Sequence, residues 1–157
     1  MGIWLSLNYI GKPQAQQRPK HRMIVSKAGK AFTQTYEPSE SRNFKATLHV
    51  LAQDALKKAG IKPFENAVYL SVHVRVAVPQ SISKKKREQM LNGDLLPTKK
   101  PDVDNILKAI MDALNGVWYM DDKQVCEVNI YKSYKETDGL NVMAWEMKDE
   151  KQDVFQA

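Results

Sequence analysis

The chain has 157 residues, 43 % of them apolar and 27 % charged, with a formal net charge of +6 at pH 7. That length suits one domain with a sizeable core, and that composition suits a soluble globular protein rather than a disordered or fibrous one. No stretch approaches the roughly 18 apolar residues a membrane span needs, and a single cysteine, Cys126, excludes an internal disulfide and a cysteine-based zinc site and fits a reducing cytoplasm.

The run "GIWLSLNYI" (2–10) is β-rich and partly alternating and predicts a strand; it lacks the basic leader and long apolar core of a signal peptide. A polar, basic arm follows, from about 11 to 37. Residues 1–36 contain Lys12, Arg18, Lys20, Arg22, Lys27 and Lys30 and no acid before Glu37, so the whole charge excess lies here. Within the arm, "MIVSKAGKAFTQT" predicts a hairpin turning at Ala28-Gly29. The segment "PSESRNFKATLHVLAQDALKKAG" predicts a helix with Ser39 or Ser41 as cap, Gly60 as stop, and Phe44, Leu48, Leu51, Ala55 and Ala59 on its apolar face. "VYLSVHVRVAV" (68–78) alternates as a strand, Leu70, Val72, Val74, Val76 and Val78 pointing one way. "SKKKREQMLNG" (83–93) predicts a short polar helix capped by Ser83, carrying the basic cluster Lys84, Lys85, Lys86 and Arg87; a loop with Lys99 and Lys100 comes next. "DNILKAIMDALNG" predicts an amphipathic helix with Ile106, Leu107, Ile110 and Leu114 inward. "QVCEVNIYKSY" (124–134) and "LNVMAWEM" (140–147) predict strands joined as a hairpin through "KETDG", with Cys126 a small buried hydrophobe, and residues 148–157 are expected to fray.

Strands and helices mix without regular alternation. The order predicts an α+β fold: a single two-layer domain with a mixed β-sheet and helices packed on one face. An acid-free arm and a second basic cluster together favour a polyanionic partner.

Set against that charge, Asp102 and Asp104 stand just before one amphipathic helix, and Asp121 and Asp122 just after it. If residues 101–104 are extended, Asp102 and Asp104 leave from the same side. Asp104 can also cap the helix, where an anion is favoured. The helix is about 18 Å long, and residues 116–120 can span roughly 16 Å. The chain can therefore just bring Asp121 or Asp122 back towards the helix start. Carboxylates that converge raise one another's pKa unless a cation neutralises them, and a hard divalent ion is the natural occupant. The alternatives are local: a helix cap for Asp102 or Asp104, a turn for the Asp121-Asp122 pair, and an ion pair with Lys108 for Asp104 or Asp112. Trp118 and Tyr119 fit core packing better than base stacking. His21, His49 and His73 have no metal-ligand spacing, and no P-loop or dinucleotide motif is present.

The run "KKPDVDNILKAIMDALNG...DDKQV" closely resembles the signature of the RusA family of Holliday junction resolvases of bacteria, prophages and phages. "GKPQAQQRPK" is similar to the family's basic N-terminal segment, although "QQRPK" is less densely basic than in many relatives, and "SKKKREQMLNG" to its polar helix. The resemblance implies a homodimeric, Mg²⁺-dependent endonuclease, with Mn²⁺ as a substitute, that cuts four-way DNA junctions symmetrically. By motif position it implies Asp102, Asp104, Lys108 and Asp122 as catalytic residues. Asp102, Asp104 and Asp122 would be metal ligands, with Asp121 as the alternate. Lys12, Arg18, Lys20, Arg22, Lys84, Lys85, Lys86, Arg87, Lys99 and Lys100 would hold DNA phosphates. A DNA-binding module without activity and a flap or fork nuclease are the competing readings.

Overall fold

The computed structural model describes residues 2–147; the expected fraying of 148–157 lies outside the described residues. Ten elements follow one another: β1 (Trp4–Ile10), β2 (Lys20–Val25), β3 (Ala31–Tyr36), α1 (Ser39–Ala59), β4 (Val68–Ala77), α2 (Lys84–Leu91), α3 (Val103–Leu114), a 3-10 turn (Asp122–Gln124), β5 (Val125–Lys135) and β6 (Gly139–Glu146). β1, β6, β4 and β5 form one sheet in that order, and β2 and β3 form a separate two-stranded sheet. The fold is α+β with a mixed sheet: β4 pairs parallel with β5 and antiparallel with β6, which pairs antiparallel with β1.

Alternation explains the layering. Leu5, Leu7, Leu70, Val72, Val74, Leu140, Val142 and Ala144 share one face and are buried with Phe44, Leu48 and Ala52 of α1 and Ile106, Ala109, Ile110 and Leu114 of α3. Ile106, Ile110 and Leu114 recur every fourth residue and are wholly buried; each such side chain contributes about 1.5–3 kcal/mol of hydrophobic stabilisation. The opposite face carries Trp4 and Met143 exposed, Tyr69 stacked on Trp145 and His73 stacked on Tyr131. Trp118 and Tyr119 are core residues, Trp118 Nε1 donating to the carbonyl of Ala52 at 3.0 Å.

Several expectations need correction. β5 and β6 are not a hairpin, because β4 lies between them. The 136–138 link crosses the end of β4, where Asp138 Oδ1 accepts from the Ala77 N–H at 2.8 Å and secures the crossing. β4, apolar along one whole face, takes the central place; an adjacent pair of strands in sequence gives no sign of this. The residue at the N-cap of α1 is Pro38, with no side-chain cap; Ser41 is instead buried and donates to Glu37 Oε1 at 2.9 Å. Cys126 is exposed, since the pairing of β4 with β5 shifts register between Val68 and Tyr69 and passes from Val125 to Glu127, leaving Cys126 out of register. The Ser83 cap, accepting from the Lys86 N–H, agrees with expectation.

Candidate functional site

Asp102 occupies the N-cap position of α3 in extended backbone (φ −75°, ψ 133°), but its carboxylate accepts no capping hydrogen bond. Val103 and Asp104 are already helical, so Asp104 belongs to the first turn and the condition under which it would leave from the same side as Asp102 is not met. Both carboxylates are exposed, and neither enters a salt bridge among the described residues. Lys108, one turn on, is exposed and likewise unpaired, which removes the ion pair with Asp104 or Asp112 as its local explanation. Asp104, Lys108 and Met111 line a shallow groove together with Asn105 and Leu107. Asp112 turns instead to Lys45, at 3.5 Å, and Lys45 also holds Glu37 at 2.8 Å. That contact, with the Ser41 hydroxyl, lowers the Glu37 pKa against the opposing effect of burial.

The chain after α3 doubles back. Tyr119 is buried and its hydroxyl donates to the carbonyl of Met111 at 3.0 Å. Met111 lies seven residues beyond Asp104, about 10 Å along the helix axis, so the return has covered part of the way three residues before Asp122. Burial, then the charges of Asp122 and Asp112, push the Tyr119 hydroxyl far above its ordinary pKa. Asp121 caps the 3-10 turn, accepting from the Lys123 N–H at 2.9 Å, while Gln124 completes a capping box. The Lys123 N–H chiefly holds the Asp121 carboxyl below the usual range. Among the described residues, no three His, Cys, Asp or Glu side chains stand close enough to hold one metal ion.

A cleft of about 420 Å³ opens beside Asp102. Its walls are the arm from Lys12 to Arg18 on one side and Lys100, Pro101, Asp102 and Asn105 on the other. The Gln16 N–H donates to the carbonyl of Asn105 at 3.1 Å and ties the arm to α3. Three of the basic residues singled out in the sequence, Lys12, Arg18 and Lys100, thus border the first carboxylate of the motif. Lys20 and Arg22 lie on β2; Lys84, Lys85 and Lys86 are exposed on α2. Arg87 is engaged by Glu136.

Two residues of this site escaped the sequence reading. Lys132 of β5 donates to the carbonyls of Lys99 and Pro101, at 2.7 and 3.0 Å, and so fixes the turn that delivers Asp102. It pairs with inward-facing Val74, following Val128 and Ile130 in the same alternation; a lysine interrupting an inward apolar series was the available signal. Gln16 lines the cleft with its Oε1 buried and without a hydrogen-bond partner among the described residues, and no sequence pattern marks it.

A family model described as "Endodeoxyribonuclease RusA" matches residues 11–144. The chain belongs to the RusA endodeoxyribonuclease family. An uncharacterised Bacillus subtilis (strain 168) protein, YqaN, is 36 % identical over 145 residues, covering 91 % of this chain and 96 % of that relative. The RusA assignment makes the chain one of a family of DNA-cleaving hydrolases that act on branched DNA. Among the described residues, no helix is long and apolar enough to cross a membrane.

Proposed function

We propose that the chain is a Mg²⁺-dependent, structure-specific endodeoxyribonuclease that resolves four-way junctions by paired phosphodiester hydrolysis, working as a homodimer in recombination and repair. One observation carries the reading beyond the family: the cleft in which Lys12, Arg18 and Lys100 border Asp102 and Asn105. Cations that can seat a phosphate there adjoin carboxylates that enter no salt bridge among the described residues.

The donor set suits a hard divalent ion. Asp102 and Asp104 offer exposed oxygens free of salt bridges, and Asn105 adds an amide beside Asp102, its Nδ2 lying 3.5 Å from Asp102 Oδ2. Asp102, Asp104 and Asp122 would hold Mg²⁺, or Mn²⁺ in its place; since no three such side chains stand together among the described residues, this set would close only as the ion binds. Asp122 is preferred over Asp121, whose oxygens serve the capping box. Mg²⁺ bound there supplies Lewis acidity and a water of lowered pKa. Lys108 stabilises the charge that builds on the phosphate under attack. Lys12, Arg18 and Lys100 seat the phosphate, and Lys132 holds the 99–101 turn so that Lys100 and Asp102 face the cleft together. Lys84, Lys85 and Lys86, with Lys20 and Arg22, contact the arms. A homodimer supplies two equivalent sites for two opposed strands.

The test is cleavage of labelled four-way junction, fork and linear duplex, with Mg²⁺ and with chelator. Symmetric cuts across the junction, abolished by chelator, are expected. Equal cutting of linear duplex, or preferred cutting of forks, overturns the junction specificity. Tight binding with no cuts makes the chain a DNA-binding module.

A further inference from the structure

The β2–β3 hairpin forms a sheet of its own, and none of its strand residues is buried. A two-stranded hairpin without a packed face is marginal in water. Yet this one is apolar on both sides. Cross-strand pairing sets Ile24 beside Phe32 on one face and Val25 beside Ala31 on the other, with Met23 on the Val25 side. Phe32 is 52 % exposed, Met23 75 % and Val25 65 %. The tip is tied off: the Ser26 N–H donates to the Lys30 carbonyl and the Gly29 N–H to the Ser26 carbonyl, each at 2.9 Å. Gly29 takes φ 76°, a conformation glycine accepts without cost. At the base, the Arg22 guanidinium donates to Gln34 Oε1 at 2.8 Å and lies 5.5 Å from the Tyr36 ring centroid.

Charge selects among partners. Lys20, Arg22, Lys27 and Lys30 lie on the hairpin and its tip, with no acid. Phosphate binding alone explains the cations but not the exposed apolar side chains. Pairing with the same ribbon of a second copy explains the apolar side chains but brings cation against cation. Unpaired nucleobases in a phosphate backbone present an apolar face and a negative charge together. Apolar side chains on both faces, rather than one, suit an element with bases on either side of it.

We propose that the β2–β3 hairpin is a wedge that enters the branch point of DNA, with Phe32 and Ile24 stacking on unpaired bases at one face, Met23 and Val25 at the other, and the flanking cations on the adjoining phosphates. The proposal rests on the junction reading only for the choice of branched DNA as partner.

The experiment uses the full chain with chelator and a four-way junction carrying 2-aminopurine at the branch point, a base whose emission rises when it leaves the stack. The comparison variant is Phe32→Thr with Val25→Thr, which keeps strand propensity while removing the apolar bulk; Phe32→Tyr keeps the ring. The unaltered chain is expected to raise the emission on the junction and not on linear duplex. The double variant loses most of that rise and binds the junction about tenfold more weakly, with an unchanged salt slope and unchanged duplex affinity. Phe32→Tyr behaves as the unaltered chain. An emission rise that survives in the double variant overturns the wedge. So does a double variant that keeps junction affinity but falls to a smaller assembly in light scattering, which makes the face a contact between copies. A chain that gives the branch signal but cuts nothing with Mg²⁺ sinks the nuclease reading and leaves the wedge standing. One that cuts junctions without any branch signal does the reverse.

Discussion

Helix α3 and the β2–β3 hairpin both carry exposed charged side chains, and they are built on opposite terms. α3 buries Ile106, Ala109, Ile110, Ala113 and Leu114 against the sheet and α1, so Asp104 and Lys108 project from a rod that the core holds in place. The hairpin fully buries none of its strand residues, Ile24 alone being half-buried, so the core does not hold it in the same way. Bond cleavage needs groups held to within about half an ångström, which a packed helix provides. Recognition of a branched substrate tolerates, and gains from, an element whose packing is completed by the ligand. The two proposed roles, cleavage and branch recognition, therefore fall to a rigid element and to an unpacked one.

The sharpest way to break that division is to remove the reacting groups without touching the rod. Lys108→Ala and Asp104→Asn should each lower junction cleavage by about 10²–10³-fold. Because both side chains are exposed and unpaired by salt bridges, thermal unfolding and chelator-stage junction binding should stay unchanged. Gel assays of single-turnover cleavage, with unfolding followed by circular dichroism, decide it. A variant that loses its fold along with its activity would return these residues to a structural role. The next test reverses the roles. Leu114→Ala, at a wholly buried site, should cost about 2–5 kcal/mol in urea unfolding. Met23→Ala on the hairpin should stay within about 0.5 kcal/mol. Equal costs at the two positions would mean the hairpin is part of the cooperative core.

A subtler test concerns the link between the two regimes, the turn ahead of Asp102. Lys132→Met removes two hydrogen bonds from a charged donor and should cost about 1–2 kcal/mol. A merely structural loss would loosen the sheet evenly. A positioning role predicts faster hydrogen exchange confined to the amides of 102–106, including Ile106 N–H on the Asp102 carbonyl, with β4 amides unmoved and Lys132→Arg restoring protection. Exchange that quickens equally along β4 would sink it.

Much of this was legible beforehand because period and punctuation agree locally. The four-residue recurrence of Ile106, Ile110 and Leu114, the strict alternation of β4 and the turn at Gly29 each state their own element. What was not legible depends on distant partners. The insertion of β4 between β5 and β6 is a competition among strands for the centre of a sheet, and "KETDG" between two strand patterns reads as a hairpin unless the Asp138–Ala77 bond is known. Lys132 and Gln16 matter through backbone groups, which carry no sequence signature. The motif carboxylates were visible as a cluster along the chain. Their spatial relation turns on how far the 115–122 return travels, which reach arithmetic bounds and does not fix.

The smallest effect expected lies on the open face of the sheet, which is intermediate between the packed helix and the bare hairpin. His73 stacks on Tyr131 at 4.4 Å and its Nε2 lies 2.7 Å from Ser133 Oγ. Burial first, then the charges of Lys135 and Arg75, hold its pKa below the ordinary histidine value of 6.5. The folded state therefore disfavours the proton that the unfolded chain binds readily. The stability that follows is fully present above about pH 6.5 and is lost as pH falls through 6.5 and on through the folded-state value; below that the loss is complete. A shallow decline in thermal midpoint between pH 7 and 5 should thus belong partly to His73, and His73→Gln should flatten it without altering the midpoint at pH 8 by more than the loss of one side-chain hydrogen bond, about 1 kcal/mol. Glu37, lowered by Lys45, contributes in the same direction but only below about pH 4.5, so the two windows separate. A decline equally steep in His73→Gln would assign the acid sensitivity to other groups and leave the sheet face electrostatically indifferent over that range.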